Sequence, residues 1–473
     1  MHFKLLFILV FCVFLKAQSY YESSIGIEYS SYNARSLAMS SSFSDGSALC
    51  LISNPSNLSI GDNNRFSIIS SYLGNSKLER RSIVIKDSFE DYLTEADYVR
   101  NIDFNSSYAI GLKYNKDIGE VQFSLAISYV PYKNYNYNYK EEIRGSLPSN
   151  DGDIFSRDPF LGNHILESKG TQYLYSFGSS LDFKMNKHIL MSLGLSSNTI
   201  KDAVITETMN VDILPMDNNI SGYFSDIIPY NIKYDLEGSS FFTFGYRLQS
   251  HKYLLGLSFE ESAKIKNNLN GFTYNYLDME VIETLDGLLD TTYNIIPYEI
   301  LYGDMEVTET LDGLDTTYNS IMVDYISDYL ELKTSDIEKP QKYGFSFSIM
   351  NPNKNNISFI LSYEKYKYEK SYILTSNEKY SLGIEHYTIN NTALRFGLEY
   401  KTSPFKPYIS STSAFTFGAG YKINRFAFDI GGKYSQIQYN FPDLYSVIDN
   451  FSKDLDIINE SNFILVGTLS YQF

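Results

Sequence analysis

The chain has 473 residues and a formal net charge of −17, with 39 Lys and Arg against 56 Asp and Glu. So acidic a chain repels phosphate backbones, which excludes a nucleic acid as partner. Aromatic residues make up 16% of the chain, with 43 Tyr, 32 Phe and no Trp, whereas charged residues make up 20%. This composition favours a sheet with one aromatic, apolar face over a set of soluble domains.

The N-terminus is typical of a secretory signal peptide. Lys4 precedes an apolar run from Leu5 to Leu15, and a cleavage site follows at Ala17. The run is too short to span a bilayer, so we interpret residues 1–17 as a signal peptide, with an uncleaved anchor as the alternative. No other stretch approaches eighteen apolar residues, so transmembrane helices are not expected. Cys50 is the single cysteine after this segment, so no intramolecular disulfide is expected.

Residues 18–64 show no sustained alternation, yet they contain few of the charges that a disordered tail would carry. Small residues recur between Ala34 and Ser53, which allows close backbone packing. Their role depends on the tract that follows them.

From Ser106 onward, apolar residues recur every second position, as they do in β-strands. One face of the C-terminal strands carries Phe415, Phe417, Tyr421, Phe426, Phe428, Ile430, Leu469, Tyr471 and Phe473. The other face is mostly Gly, Ser, Ala and Thr. A soluble sandwich would place charged residues there instead, so the pattern favours a transmembrane β-barrel.

Short and long connections alternate along this tract, as in barrels with periplasmic turns and extracellular loops. The long connections include residues 131–170, 197–239 and 261–341. Thirteen strands lie between Ser106 and Phe473, and an even barrel needs one more before them. Phe66–Leu73 and Arg81–Lys86 are the two candidates for this strand, and they are alternatively parts of one kinked strand. We therefore predict an all-β, 14-stranded antiparallel barrel over residues 65–473.

A fourteen-stranded barrel is wide enough to need filling or to leave a channel. We therefore interpret residues 18–64 as an N-terminal hatch inside the lumen, with a periplasmic tail or linker as the alternative.

Little in the sequence indicates a catalytic site. The histidines are scattered, and neither HExxH nor GxSxG occurs, so no enzyme activity, cofactor or metal is expected. Residues 279–319 contain a duplicated acidic hairpin, whose repeated Asp residues are better explained as solvated loop acids than as a calcium site.

Several of these motifs resemble the FadL-like outer-membrane barrels, a superfamily of long-chain fatty-acid transporters and PorV/PorQ-type secretion proteins. The resemblance rests on an N-terminal signature that contains Ala34-Arg35, Met39, Asp45, Ala48-Leu49, Asn54-Pro55 and Leu58. It also rests on the late strands Ala393–Tyr400, Phe415–Ile423 and Phe426–Tyr434, and on the terminal Phe473. The sequence departs from the signature at Ser40-Ser41 and at Ser56.

The resemblance implies a hatch whose shift lets an apolar ligand leave sideways through a kink in the wall. It makes Arg35, Asp45, Asn54 and Pro55 the candidate hatch or gating residues. For Arg35, a structural salt bridge to a lumenal acid is favoured over ligand contact. The candidate lumen-facing charges are Glu385, Arg395, Glu399 and Asp429.

The sequence thus predicts a monomeric barrel of the bacterial outer membrane, in contact with its lipid. The favoured function is a hatch-gated channel for hydrophobic small molecules such as fatty acids. The alternative is a PorV-like component of type IX secretion that handles exported proteins.

Overall fold

The structure is a computed structural model that describes residues 20–60, 65–89, 91–144, 160–186, 188–213, 230–274, 333, 335–349, 357–369, 371, 373–388, 392–406, 408–445 and 455–473. The predicted signal peptide and the duplicated hairpin at 279–319 lie outside these residues.

Strands dominate the described chain. In chain order they are β1 (Ile27–Glu28), β2 (Phe66–Lys86), β3 (Tyr92–Ile118), β4 (Val121–Asn134), β5 (Tyr137–Arg144), β6 (Phe160–Lys169), β7 (Thr171–Lys184), β8 (Leu190–Ile200), β9 (Ala203–Ile213), β10 (Tyr230–Leu236), β11 (Ser239–Gln249), β12 (Tyr253–Glu260), β13 (Ala263–Ile265), β14 (Asn267–Tyr274), β15 (Ile337–Lys339), β16 (Gln341–Ile349), β17 (Ile357–Lys367), β18 (Asn377–Tyr387), β19 (Thr392–Lys401), β20 (Thr412–Ile423), β21 (Phe426–Phe441) and β22 (Asp456–Gln472). Short α-helices span Tyr20–Ser23 and Ala34–Ala38, and 3₁₀ turns span Ser42–Ser44, Ala48–Leu51 and Pro55–Ser59. No helix of the described residues combines the length and apolarity needed to cross a membrane.

Fourteen of the described strands form one closed antiparallel barrel. Each pairs with its neighbours in the order β4-β3-β2-β22-β21-β20-β19-β18-β17-β16-β12-β11-β8-β7, and the pairing of β4 with β7 closes the ring. Closure gives every wall strand a hydrogen-bonded neighbour on both sides, as strands in hydrocarbon require. The predicted fold class is confirmed.

Both candidate segments for the first spanning strand belong to one strand. Phe66–Leu73 and Arg81–Lys86 both belong to β2, a single strand of 21 residues. Its register with β3 shifts between Arg81 and Ser82, so the strand is continuous but irregular. The alternation of apolar residues is interrupted between the two segments, because Lys77 and Glu79 form an ion pair inside the barrel. The sequence therefore does not reveal that the strand is continuous.

The apolar face of the wall points outward. Large exposed apolar side chains cover it, including Tyr108, Phe177, Phe244, Leu361, Phe396, Leu398, Phe415, Tyr421, Phe428 and Ile430. Inward positions carry buried Ser, Thr, Asn and charged residues. Since a soluble protein would bury the first set, this surface is one that lipid covers.

The long connections hold strands that the sequence analysis did not predict. β5, β6, β9, β10 and β14 form a five-stranded sheet in the order β14-β10-β9-β6-β5, and β13 pairs with β15. We call the five strands the cap sheet. The short turns lie at the opposite end of the barrel, which we call the short-turn end.

Candidate functional site

The hatch body, residues 33–60, is a series of short capped turns. The side chain of Asn33 accepts a hydrogen bond from the Arg35 amide at 2.8 Å and so caps the helix Ala34–Ala38. Ser47 caps the next turn by accepting from the Leu49 amide at 3.1 Å. Each of these turns is too short to be stable alone, so the conformation of the segment depends on the barrel around it.

Asp45 ties two of these turns together. Its Oδ1 accepts from the Asn33 side-chain amide at 3.2 Å and from the Ser47 backbone amide at 2.8 Å. Burial raises the pKa of this carboxyl. Beside it, the Lys113 ammonium of β3 donates to the carbonyls of Gly46 at 2.6 Å and Ile60 at 2.9 Å. The position of Asp45 therefore serves the fold of the hatch body.

Asn54 and Pro55 begin the last turn of the hatch body. The Asn54 side chain accepts from the Ser56 amide at 3.2 Å and hydroxyl at 2.7 Å, and Pro55 occupies the first helical turn, where its missing N–H costs nothing. This turn lies directly against the wall. A Cβ added at Gly194 would fall 2.2 Å from the Ser56 nitrogen, and one added at Gly245 would fall 2.1 Å from Asn54 Oδ1.

The same close approach recurs around the lumen. Ten inward glycines face the hatch body at distances that leave no room for a Cβ: Gly111, Gly178, Gly194, Gly245, Gly256, Gly344, Gly383, Gly397, Gly418 and Gly431. Several are direct cross-strand partners, such as Gly245 with Gly194 and Gly418 with Gly431. We call this set the glycine ring. It makes a smooth belt against which the hatch backbone packs.

Arg35 forms an ion pair with the wall. Its guanidinium makes two bonds to Glu385, at 3.0 Å from Nε to Oε1 and 2.7 Å from Nη2 to Oε2. Glu385 also accepts from Arg395 Nε at 2.7 Å, and Arg395 Nη1 donates to Asp429 at 2.5 Å. Glu385 and Arg395 are each 3% exposed. Three of the candidate lumenal charges thus form one network with Arg35.

The fourth candidate charge, Glu399, belongs to a second network nearer the cap sheet. Acidic and basic side chains alternate across six strands: Glu260, Lys342, Glu364, Lys379, Glu399 and Lys433. Ser42 of the hatch body donates to Glu364 at 3.2 Å. We call this set the charge ladder. Each charge has an opposite neighbour, which offsets the cost of removing it from bulk water.

The wall has a notch between β3 and β4. Their pairing ends at Ile110 and Tyr129, although β4 continues to Asn134 along β7. Because β7 occupies one edge of β4, the two-residue strand β1 takes the edge that β3 leaves, with Ile27 opposite Asn134. Higher up, β5 returns to β3, where the Lys140 amide donates to Asn101 at 3.1 Å. The notch is therefore bounded above and below.

The notch opens within the membrane layer. Ile110 lies eight residues from the end of β3 at Ile118. Eight residues span about 26 Å along a strand and about 20 Å along the normal of a barrel with the usual tilt. That height falls inside an apolar band about 25 Å tall. Exposed Tyr108 and Phe104 continue the outer face of β3 beside the notch.

The segment in the notch, residues 24–32, is here called the arm. Lys133 Nζ of β4 donates to the Ile25 carbonyl at 2.8 Å, and Tyr132 donates to Glu28 at 3.3 Å. Gly26 has a φ of +74° and lies on the ring of Tyr135, so a side chain at this position would meet the ring. Ile25, Tyr29 and Tyr32 of the arm also pack against the hydrophobic core, and Ser24 and Gly26 are its buried residues.

A cavity of about 280 Å³ lies between the hatch body, the arm and the cap-sheet end of the wall. Tyr29, Tyr32, Tyr366, Tyr368 and Ile52 give it apolar surface, and the charge ladder gives it polar surface. Ile27, Glu28, Tyr132 and Lys133 also line it, so the cavity reaches the notch. It suits a molecule with an apolar body and a polar end.

Sequence reasoning missed the glycine ring, the ladder lysines and the arm. The glycine ring and the ladder lysines could have been found in the sequence, because small or charged residues recur at inward positions on successive strands. The arm leaves no such signal, since a two-residue strand carries no periodicity.

Comparison with known proteins supports the fold. No protein-family model matches the sequence, and no curated protein matches it either. Among solved structures, a Pseudomonas aeruginosa FadL homologue is similar with a TM-score of 0.51 at 12% identity, covering 95% of this chain and 99% of that one.

Two further structures are similar at lower TM-scores, which carry no argument here. A monoaromatic hydrocarbon channel, CymD, has a TM-score of 0.45 at 9% identity, covering 94% of this chain and 98% of that one. The Pseudomonas putida toluene transporter TodX has a TM-score of 0.41 at 10% identity, covering 94% of this chain and 99% of that one.

Closed barrels with an even number of strands and a lipid-facing exterior are typical of bacterial outer membranes. This agrees with the predicted localisation. The resemblance inferred from Ala34-Arg35 and Asn54-Pro55 is confirmed at the level of the fold: the chain is a fourteen-stranded barrel with the architecture of a FadL homologue.

Proposed function

We propose that the protein is an outer-membrane channel for hydrophobic small molecules in which the N-terminal hatch controls passage. The observation that carries this proposal is the notch between β3 and β4, because the arm alone separates a lumenal cavity from the lipid-facing side of the wall at this point. A water-soluble solute would gain nothing from an exit into lipid, whereas an apolar one would.

The cavity lining favours amphipathic cargo. An apolar body would lie on the tyrosines Tyr29, Tyr32 and Tyr366, and a carboxylate or other polar end would face lysines of the charge ladder. A pure hydrocarbon would leave these charges without solvent, at a cost in free energy. We therefore favour fatty acids over simple hydrocarbons as cargo.

The arm is the element that moves in this proposal. Arg35 holds the hatch body on the wall through Glu385. Asp45 and Asn54 hold the turns of the hatch body together through Ser47 and Ser56, and Pro55 begins the last of these turns. Release of β1 from β4 would open the notch while the hatch body still blocks the direct route through the lumen.

One observation favours the second candidate, a secretion component. The cap sheet places five strands of regular structure outside the membrane layer, where an exported protein could dock. A cap sheet would equally well shield an apolar ligand that enters the cavity.

Native mass spectrometry of the protein purified from its membrane separates the two functions. We expect a bound single-chain amphiphile, displaced by added long-chain fatty acid. Reconstituted vesicles should also take up labelled fatty acid faster than protein-free vesicles. A stoichiometric protein partner without bound lipid would contradict the channel and favour secretion.

A further inference from the structure

The exposed charges at the short-turn end are predominantly basic, although the chain carries a net charge of −17. The described basic residues there are Arg65, Lys116, Lys184, Lys252, Lys422 and Arg425, and all six are exposed. The described acidic residues among the same turns are Asp117 and Glu120. We call the six residues the basic rim.

Most of the basic rim lies immediately beside exposed aromatic residues of the lipid-facing surface. Arg65 precedes Phe66, Lys252 precedes Tyr253, Lys422 follows Tyr421 and Arg425 precedes Phe426. Lys116 follows Tyr114 on the same outer face of β3. The arrangement recurs in at least four separate turns, so it is a property of the rim and not of one loop.

The order of these residues matches the layers of a bilayer. Interfacial aromatic side chains lie at the edge of the hydrocarbon, and residues just beyond them lie among the lipid headgroups. A Lys or Arg near an anionic membrane surface binds it with about 1 kcal/mol. Phosphate groups of phospholipids therefore lie within reach of the basic rim.

The opposite end of the barrel carries exposed charges of both signs. Asp91, Glu95 and Asp97 are exposed in the β2–β3 hairpin, whereas Lys201, Lys233, Lys264 and Lys266 are exposed lysines of the same end. Among the described residues, the excess of basic charge is therefore a feature of the short-turn end.

We propose that the basic rim binds the phosphate groups of the adjacent lipid leaflet and prefers anionic phospholipids to zwitterionic ones. This rests on the membrane placement in the proposed function and not on the identity of the cargo. The ligand is a lipid surface, recognised by its charge and by the neighbouring aromatic belt.

The test reconstitutes the full chain in lipid discs that contain equal amounts of a phosphatidylglycerol and a phosphatidylcholine, followed by measurement of the lipids that remain bound after mild detergent treatment. We expect phosphatidylglycerol to be retained about fivefold over phosphatidylcholine, the enrichment that one contact of this strength provides. The enrichment should fall as salt concentration rises.

A rim variant combines Lys116→Gln, Lys252→Gln, Lys422→Gln and Arg425→Gln. A matched control removes four exposed lysines elsewhere by Lys201→Gln, Lys233→Gln, Lys264→Gln and Lys266→Gln. We expect the rim variant to retain both lipids equally and the control to behave as the unmodified protein. Barrel integrity is checked for each by circular dichroism.

Equal retention of both lipids by the unmodified protein would overturn the proposal, and so would an equal loss in the control variant. Tight binding of an acidic soluble protein to the rim, with no lipid preference, would also overturn it. Fatty-acid uptake by the rim variant keeps the two proposals apart, since it should persist if only the lipid contact is lost.

Discussion

The hatch body and the arm are adjacent segments of one chain, yet the wall holds them in different ways. The hatch body packs on the glycine ring, and its Arg35, Ser40, Leu51 and Ser59 form hydrogen bonds with other residues of the wall. Most residues of the hatch body are buried. The arm pairs with β4 through a two-residue strand and contacts it through Lys133 and Tyr132, and apart from Ser24 and Gly26 its residues are only partly buried or exposed. Segments with few buried contacts open first, so the arm is the part of the plug suited to movement.

The largest expected effect is on the anchor of the hatch body. Glu385→Gln would leave the guanidiniums of Arg35 and Arg395 beside each other without their shared carboxylate. Removing one member of a buried ion pair costs about 3–5 kcal/mol. We expect thermal unfolding of the purified protein to show a large loss of stability.

Arg35→Gln is the matched variant, and its cost should be smaller because the side chain of Arg35 is 36% exposed and Arg395 still pairs with Glu385. Equal losses in the two variants would contradict the account of this network.

Packing on the glycine ring is the next test. Gly245→Ala places a methyl group against Asn54, and overpacking of this kind costs about 1–3 kcal/mol. We expect faster hydrogen exchange in residues 54–59. Gly467→Ala is the control, because no heavy atom lies within 4 Å of its added Cβ.

A weaker perturbation addresses the arm. Gly26→Ala meets the Tyr135 ring and a positive φ, which together cost about 1 kcal/mol or more. We expect the arm to leave the notch while the hatch body stays in place, seen as protease sensitivity confined to residues 24–32. Loss of protection across residues 33–60 would show that the two segments are one unit.

The last effect is a pH dependence of the cap sheet, which lies beside the arm at Ser24. Burial raises the pKa of Glu141 to about 8 from 4.5, and lowers the pKa of His164 to about 4 from 6.5. Glu141 then loses stability as pH rises from 4.5 to 8, and His164 loses it as pH falls from 6.5 to 4.

The protection of β5 and β6 amides, which is the exchange rate relative to the intrinsic rate at the same pH, should therefore be greatest between about pH 4.5 and 6.5 and lower on either side. Glu141→Gln should remove the alkaline change and His164→Asn the acid change. Persistence of both changes in the two variants would assign them to other groups.

Much of the wall could be predicted from the sequence, because one physical rule governs it. Lipid on one side of each strand and the lumen on the other require apolar residues at every second position. The outward orientation of Phe415, Phe417 and Tyr421 therefore follows from the neighbouring residues alone. The same parity placed Glu385 and Asp429 in the lumen. Each of these inferences needs only a few neighbouring residues.

The site could be predicted only in part, because it depends on contacts between distant residues. Arg35 and Glu385 are 350 positions apart, and periodicity does not specify which lumenal acid the arginine meets. The notch depends on where β3 and β4 separate, which no local pattern marks. The cap sheet was missed because its strands lie in the long connections and pair across them, β5 with β6 and β6 with β9, which no local pattern marks.

The most direct test of the division between body and arm uses two disulfide staples. Ile27→Cys with Asn134→Cys joins the arm to β4, and Ser40→Cys with Thr416→Cys joins the hatch body to β20. Fatty-acid uptake is measured in vesicles before and after reduction. The account predicts that the arm staple blocks uptake until it is reduced, while the body staple has no effect. Block by the body staple with free passage past the arm staple would contradict it.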